Sequence, residues 1–326
     1  MLLPTIDGVR RAQSEISPYL AETPLVRSLL LSDAFQADVW LKNETISTIG
    51  CFKLRGALAD VLRAVSRGRP AGIVTSSSGN HGQGVAYAGR SLGLPVTVFL
   101  PAGANRIKRR TIELLEAEIR EVDADSYGAK LVAQQFAAKT GRYFVDDGTS
   151  TDLSEGAGTV GLEIAQRLDG IDAVFLPVGD AALVNGAASA LRSLQPAASI
   201  IGVQAAGAPA YALSHRQQAI VDHKVDTIAD GLATRMPSEL ALAGMLEFVD
   251  RFILVDEAAL LSSMHSLAIA GHVLAEPSGA ATLAGAWHER EKWRDKRIVL
   301  VVTGANVESG VLRRALDTAP LWNLPL

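Results

Sequence analysis

The feature that most constrains this chain is an alternation of short, unbroken aliphatic runs with longer segments of helical periodicity. The clearest runs are Ile73-Val74, Val96 to Leu100, Ala173 to Val178, Ile200 to Val203, Phe252 to Val255 and Ile298 to Val302. They do not alternate apolar with polar residues, which is the pattern of strands covered on both faces. Between them, Gln83 to Leu92 follows a glycine-rich turn, and Ile107 to Leu115 carries apolar residues at Ile107, Ile112 and Leu115. Asp256 is placed to cap a helix running to about Val273. Strand–helix–strand succession calls for parallel pairing, so an α/β fold is expected, with ligands at the carboxyl ends of strands. Two polar stretches rich in breakers, Ser66-Arg67-Gly68-Arg69-Pro70 and Asp146-Asp147-Gly148-Thr149, suit chain crossings between domains. The expected division is a small α/β domain at 70–148 set into a larger one made of 1–69 and 149–326.

Composition removes several classes of function. Hydrophobic residues make up 48% and charged residues 20%, which excludes a disordered or collagen-like chain. A net charge of −4 argues against a nucleic-acid binder, which would carry a basic excess. The single cysteine, Cys51, leaves no internal disulfide or multi-cysteine zinc site and suits a reducing cytosol. The N-terminal MLLPTIDGVRR is too short in apolar residues for a signal peptide. No run reaches the roughly 18–20 apolar residues a membrane helix needs. A soluble cytoplasmic protein is expected.

Three patterns imitate function. Gly156 to Gly161 matches GxGxxG, but Thr149 to Glu155 before it are polar and loop-like, and Asp169 and Asp172 come too early for a ribose-binding acid. Close helix packing is the expected use of those glycines. The six histidines, 81, 215, 223, 265, 272 and 288, show no metal-ligand spacing. The basic run Arg106, Lys108, Arg109 and Arg110 reads as a solvated helix face, a phosphate-binding role being the minor alternative.

Four segments carry chemistry. In Gly50-Cys51-Phe52-Lys53-Leu54-Arg55-Gly56-Ala57, a lysine sits in a short apolar frame that would depress its pKa if buried, the condition for a Schiff-base nucleophile. Thr75-Ser76-Ser77-Ser78-Gly79-Asn80-His81-Gly82-Gln83-Gly84 joins a strand to a helix and aims N–H groups and small hydroxyls at one point, a cradle for a carboxylate or phosphate. Pro177 to Leu183 and Val302-Thr303-Gly304-Ala305-Asn306 also follow strands, where open α/β sheets bind ligands.

Taken in order, KNETISTIGCFKLRGA, TSSSGNHGQGVAYAGRSLGLPVTVFLP, PVGDAAL, TIADGLA, EPSGAA and VTGAN resemble the serine/threonine dehydratase family, the fold-type II pyridoxal-phosphate enzymes that include serine racemase. The likeness runs from Thr23 to Asn306. It implies two open, twisted, mostly parallel sheets with helices on both faces and an active site in the cleft between domains. It also implies pyridoxal 5′-phosphate as cofactor, an amino-acid substrate and a homodimer. By this likeness Lys53 carries the cofactor, Phe52 packs on it, and Asn80 bonds the oxygen on its pyridine ring. Gly179, Asp180, Ala181, Ala182 and Leu183 take the place of the phosphate loop, and Thr303 stands against the pyridine nitrogen. Ser77, Ser78, Asn80 and His81 lie in the loop that receives the substrate carboxylate. Ser78 is similar to the serine that faces the far side of the α-carbon in racemases. A neutral hydroxyl at Thr303 would leave the pyridine nitrogen largely unprotonated, which suits β-elimination.

The chain departs from that pattern in three places. Gly179-Asp180-Ala181-Ala182 replaces four glycines, so a left-handed position there costs about 1 kcal/mol or more, and Asp180 must turn away from a phosphate. Gln204 and Ala210 stand where metal-dependent members carry carboxylates, so no divalent-metal site is expected there. Cys51 replaces a serine and reads as a small buried filler, the alternative being a thiol near the cofactor. The expected activity is dehydration and deamination of a β-hydroxy amino acid such as L-threonine or L-serine, with Lys53 as general base. An amino-acid racemase using Lys53 and Ser78, a dehydratase of a bulkier or acidic substrate such as phenylserine or hydroxyaspartate, and a cofactor-binding protein without catalysis are the rivals. At 326 residues no room is expected for a C-terminal regulatory domain or feedback by isoleucine.

Overall fold

The computed structural model describes residues 2–77, 79–101, 106–124 and 126–323. Among these, ten strands form two sheets. The strands are β1 (Leu25–Arg27), β2 (Asp38–Asn43), β3 (Ile73–Ser76), β4 (Val96–Pro101), β5 (Glu118–Val122), β6 (Tyr143–Phe144), β7 (Ala173–Pro177), β8 (Ser199–Ala205), β9 (Arg251–Val255) and β10 (Arg297–Val302). The larger sheet has the order β1-β2-β10-β7-β8-β9 and is parallel except for the β1–β2 pair. The smaller, β5-β4-β3-β6, is parallel throughout. This is the expected α/β class. All four strands of the smaller sheet fall between residues 73 and 144.

Each expected aliphatic run is a strand, and the central ones are buried along their length, as in β7 and β10. Four strands escaped the periodicity. Glu118-Ile-Arg-Glu-Val is a half-exposed edge strand, β6 spans two residues, β1 is mostly exposed, and β2 is interrupted by Lys42. The helix capped by the Asp256 side chain ends at Ser266 and continues as a wider turn, Leu267–Gly271, which His272 stops in a left-handed conformation. The helix expected from Gln83 begins at Asn80, so Asn80 and His81 belong to its first turn.

The GxGxxG glycines lie inside the helix Thr151–Arg167, capped by Ser150, and they are packing glycines as expected. A Cβ on Gly158 would sit 2.8 Å from the Gly186 carbonyl, and one on Gly156 would sit 2.6 Å from the Arg55 oxygen. This helix therefore lies backbone to backbone against Ala182–Leu194 on one side and Lys53–Arg67 on the other. Such contact fixes the two helices whose N-termini carry the chemistry.

Candidate active site

Lys53 opens the helix Lys53–Arg67, and the strand ends hold that first turn in place. The Phe52 N–H donates to the Thr303 carbonyl at 3.0 Å, Ala305 N–H to the Gly50 carbonyl at 2.9 Å, and Asn306 Nδ2 to the Ile49 carbonyl at 2.8 Å. Cys51 and Gly304 form an isolated β-bridge. The loop before the lysine is thus zipped to the loop after β10. One residue pair further in, Arg55 is buried and donates to Glu44 Oε2 at 2.7 Å and Glu163 Oε1 at 2.6 Å, while Lys42 pairs with Glu163 and donates to the Thr23 carbonyl at 2.8 Å.

The Lys53 amine is paired with Asp147, lies 3.7 Å from Asp180 Oδ2, and stands over the Phe52 ring, 5.4 Å from its centroid. Burial by itself would lower the pKa of this amine, but the two carboxylates outweigh burial and hold it above its ordinary value. The expected depression is therefore reversed. The apolar frame of Phe52 and Leu54 is present, but the chain brings carboxylates from two distant loops to the tip of the side chain. Burial likewise opposes ionisation of Asp147, yet His81 and Lys53 overcome it and keep Asp147 well below the usual carboxylate range. Asp180, which shares the Lys53 amine with Asp147, is pushed up to about 7 by burial and by the neighbouring negative charge. Its side chain turns to Lys53 and Asp147, with no backbone donor bonded to it among the described residues.

Asn80 Nδ2 donates to Glu276 Oε1 at 2.5 Å, and Asn306 Nδ2 donates to Asn80 Oδ1 at 2.8 Å. Burial lifts Glu276 to about 6 against the pull of Lys108, whose amine is 3.2 Å from Glu276 Oε2 and 2.5 Å from Asp230. Lys108 is 1% exposed, which corrects its reading as part of a solvated face. The helix turns it inward while Arg109 and Arg110 pair with Glu113 outside. His81 is buried too. Its Nδ1 is 3.6 Å from Asp147 Oδ2, its Nε2 is 3.4 Å from the Val145 carbonyl, and burial lowers its pKa. Ser77 Oγ accepts the Gly79 N–H at 3.2 Å. Ser78 lies outside the described residues.

After β7, the Gly179 carbonyl accepts from Thr234 Oγ1 at 3.2 Å, and a Cβ on Gly179 would collide with the Gly231 carbonyl. Ala181 takes the left-handed conformation at φ 64°, the strain expected of a loop stripped of glycine. The helix Ala182–Leu194 starts there, with Ala182 and Leu183 buried, and no side chain among the described residues caps it. Its first N–H groups are thus open to an anion. Thr303 is buried beside Phe52. Gln204 is buried and accepts the Ala212 N–H at 3.0 Å, so its side chain serves the next helix. Burial and the Glu276 charge push the Cys51 thiol up, which fits a filler.

Two loops, one helix start and the ends of β3, β7 and β10 thus bring together Phe52, Lys53, Asn80, Asp180 and Thr303. Sequence reasoning missed Asp147, Glu276, Lys108 and Asn306. Glu276 and Asn306 lie in the segments EPSGAA and VTGAN, where nothing local marks them, and Asp147 lies in a polar stretch that suits a chain crossing. Its one signal was a pair of acids before Gly148, whose φ of 75° and close approach to the Asp180 carbonyl both demand glycine. The set suits an aldehyde bearing a phosphate. It offers an amine, an uncapped helix start, and the Asp147 Oδ1 atom, which is buried with no hydrogen-bond partner among the described residues.

Comparison with known proteins agrees. Residues 16–304 match the model of a family described as pyridoxal-phosphate dependent enzyme. The catabolic L-threonine dehydratase of Staphylococcus aureus is 32% identical over 97% of this chain and 94% of its own length. Maize serine racemase superposes with a TM-score of 0.91 at 29% identity, covering 97% of this chain and 98% of that one. The processed form of threonine deaminase isoform 2 from Solanum lycopersicum gives 0.89 at 29% identity, covering 97% and 90%. Matched to that family model across most of its length, this chain belongs to the pyridoxal-phosphate-dependent enzymes.

Proposed function

We propose that the chain is an ammonia-lyase that converts a β-hydroxy amino acid, L-threonine or L-serine, to a 2-oxo acid and ammonia. The observation that carries this reading is its likeness to the S. aureus threonine dehydratase over nearly all of both chains. Lys53, Phe52, Asn80, Thr303 and the turn Gly179 to Leu183 would hold pyridoxal 5′-phosphate. The cofactor, when bound, supplies the electron sink for the α-carbon.

The residues of the chain manage protons and orientation. Lys53 must give up a proton before its amine can act as nucleophile or as base at the substrate α-carbon, and the Asp147–Asp180 pair stands next to it to exchange that proton. The helix Asn80–Ser91 begins without a side-chain cap among the described residues, so its N–H groups are available to the substrate carboxylate. Because the His81 ring is turned into the interior against Asp147, carboxylate binding in this reading falls to the Ser77 hydroxyl and the backbone N–H groups that open the helix at Asn80. The Asn80–Glu276–Lys108 chain fixes the amide that would face the ring oxygen.

The test is release of 2-oxo acid and ammonia across β-hydroxy amino acids of both configurations. Lys53→Ala is expected to lose the visible band of bound cofactor and at least about 100-fold in turnover; retained turnover would sink the assignment. The match to maize serine racemase supports a second reading, racemisation with Ser78 opposite Lys53. Chiral analysis of serine recovered from deuterated water separates the two. A cytoplasmic homodimer belongs to the same proposal. Among the described residues no helix is long and apolar enough to cross a membrane.

A further inference from the structure

Two carboxylates compete for one ammonium at this site. Asp147 pairs with Lys53, and Asp180 Oδ2 lies 3.7 Å from the same nitrogen. A single positive charge neutralises one of them. Of the other charged and titratable groups around the pair, His81 acts most strongly, on Asp147. His81, from the helix Asn80–Ser91, faces Asp147. Lys130, from Ser126–Thr140, is already paired with Asp146 at 2.6 Å and acts on Asp180 only from a distance. Tyr211, from Ala210–Gln217, is a buried phenol whose ionisation the two aspartates oppose. The backbone N–H groups that begin the helix Ala182–Leu194 point from the turn on which Asp180 itself sits.

We propose that Asp180 makes cofactor binding a proton-coupled event: as a phosphate ester settles on the turn Gly179–Leu183, the Asp147–Asp180 pair takes up one proton from solvent. This rests on the assignment of that turn to the phosphate made above. A phosphate ester is close to a dianion above its second pKa of about 6. Placed beside two ionised carboxylates with one ammonium between them, it would leave the site with a large negative excess in a poorly solvated pocket. Two carboxyl groups that crowd one site cannot both ionise freely and titrate as a unit. Protonating that unit removes one negative charge and lets Asp180 donate instead of repel. Burial and the neighbouring Asp147 carboxylate already favour that proton on Asp180.

The sign follows from linkage. If the bound state holds one more proton than the free state, affinity falls as pH rises, by up to about tenfold per pH unit above neutrality. Condensation of an aldehyde with Lys53 would run the other way, so the probe is pyridoxine 5′-phosphate, which has no aldehyde. Calorimetric titration of the cofactor-free full-length chain between pH 7 and 9, in two buffers of different ionisation enthalpy, counts the protons. The unmodified chain is expected to take up about one proton more per ligand than Asp180→Asn or Asp180→Gly. Its dissociation constant should rise more steeply with pH than those of both variants. Equal proton counts in all three chains, or the same pH slope in the variants, would overturn the proposal. If the underlying site assignment is what fails, pyridoxine 5′-phosphate will not compete with pyridoxal 5′-phosphate, or the latter will still colour Lys53→Ala. If only the proton coupling fails, competition and colour remain and the extra proton is missing.

Discussion

Lys53 is held as an ammonium by carboxylates that arrive from loops 94 and 127 positions further along the chain. The consequence is a pH-dependence that belongs to Asp147. Asp147→Asn removes the partner that raises the lysine, so its amine should deprotonate at lower pH. The midpoint for loading pyridoxal 5′-phosphate, followed by its visible band, is then expected to move down. An unchanged or higher midpoint would mean that Asp147 does not set the protonation of Lys53. Asp180 makes a separate point about residues. An aspartate in a turn meant for phosphate reads as a defect in the sequence. In the folded chain it lies beside an amine and a second acid and becomes a proton carrier.

At the scale of elements, the helix Lys53–Arg67 is fixed by charges that no water reaches. Arg55 bonds Glu44, Glu163 and Thr159, and these residues come from the segment after β2 and from the helix Thr151–Arg167. Arg55→Ala would leave the carboxylates Glu44 and Glu163 buried with only Lys42 between them. A loss of about 3–5 kcal/mol is expected from denaturant unfolding, since breaking one side of a buried ion network costs that much. Further along the same helix, Asp60 receives hydrogen bonds from Ser150 at 2.6 Å and Tyr143 at 3.3 Å. Burial lifts its pKa from 3.8 to about 6 despite the Ser150 bond. Between those values the folded chain binds more protons than the unfolded one, so stability falls as pH rises across that window. Glu276, lifted to about 6, adds a change of the same sign. Asp60→Asn should flatten part of this loss, which unfolding curves at pH 4 and pH 6.5 will show; an unchanged slope would place the effect elsewhere.

At the scale of the molecule, the sequence was most readable where one physical rule acted alone. Double-sided burial made β7 and β10 plain, and packing glycines in Thr151–Arg167 were separable from a nucleotide fingerprint by their polar approach. The motifs drew attention to Lys53 and Asn80, and the fold places both at helix starts. What escaped was whatever depends on two distant segments meeting. Lys108 looks solvated beside three arginines until Asp230 and Glu276 arrive from the far part of the chain. Asp147 looks like a hinge until Lys53 reaches it, and β5 shows its strand character only through pairing with β4. No local pattern encodes such meetings, because the partner sets the environment. The strand order has a last consequence, for synthesis. β10 is the final strand in sequence yet lies between β2 and β7, and its following loop grips the residues before Lys53. The larger sheet therefore stays split in two until that strand has left the ribosome. Chains ending before Arg297 are expected to retain no pyridoxal 5′-phosphate on gel filtration, so a nascent chain would carry its nucleophile for most of translation without a site to use it in.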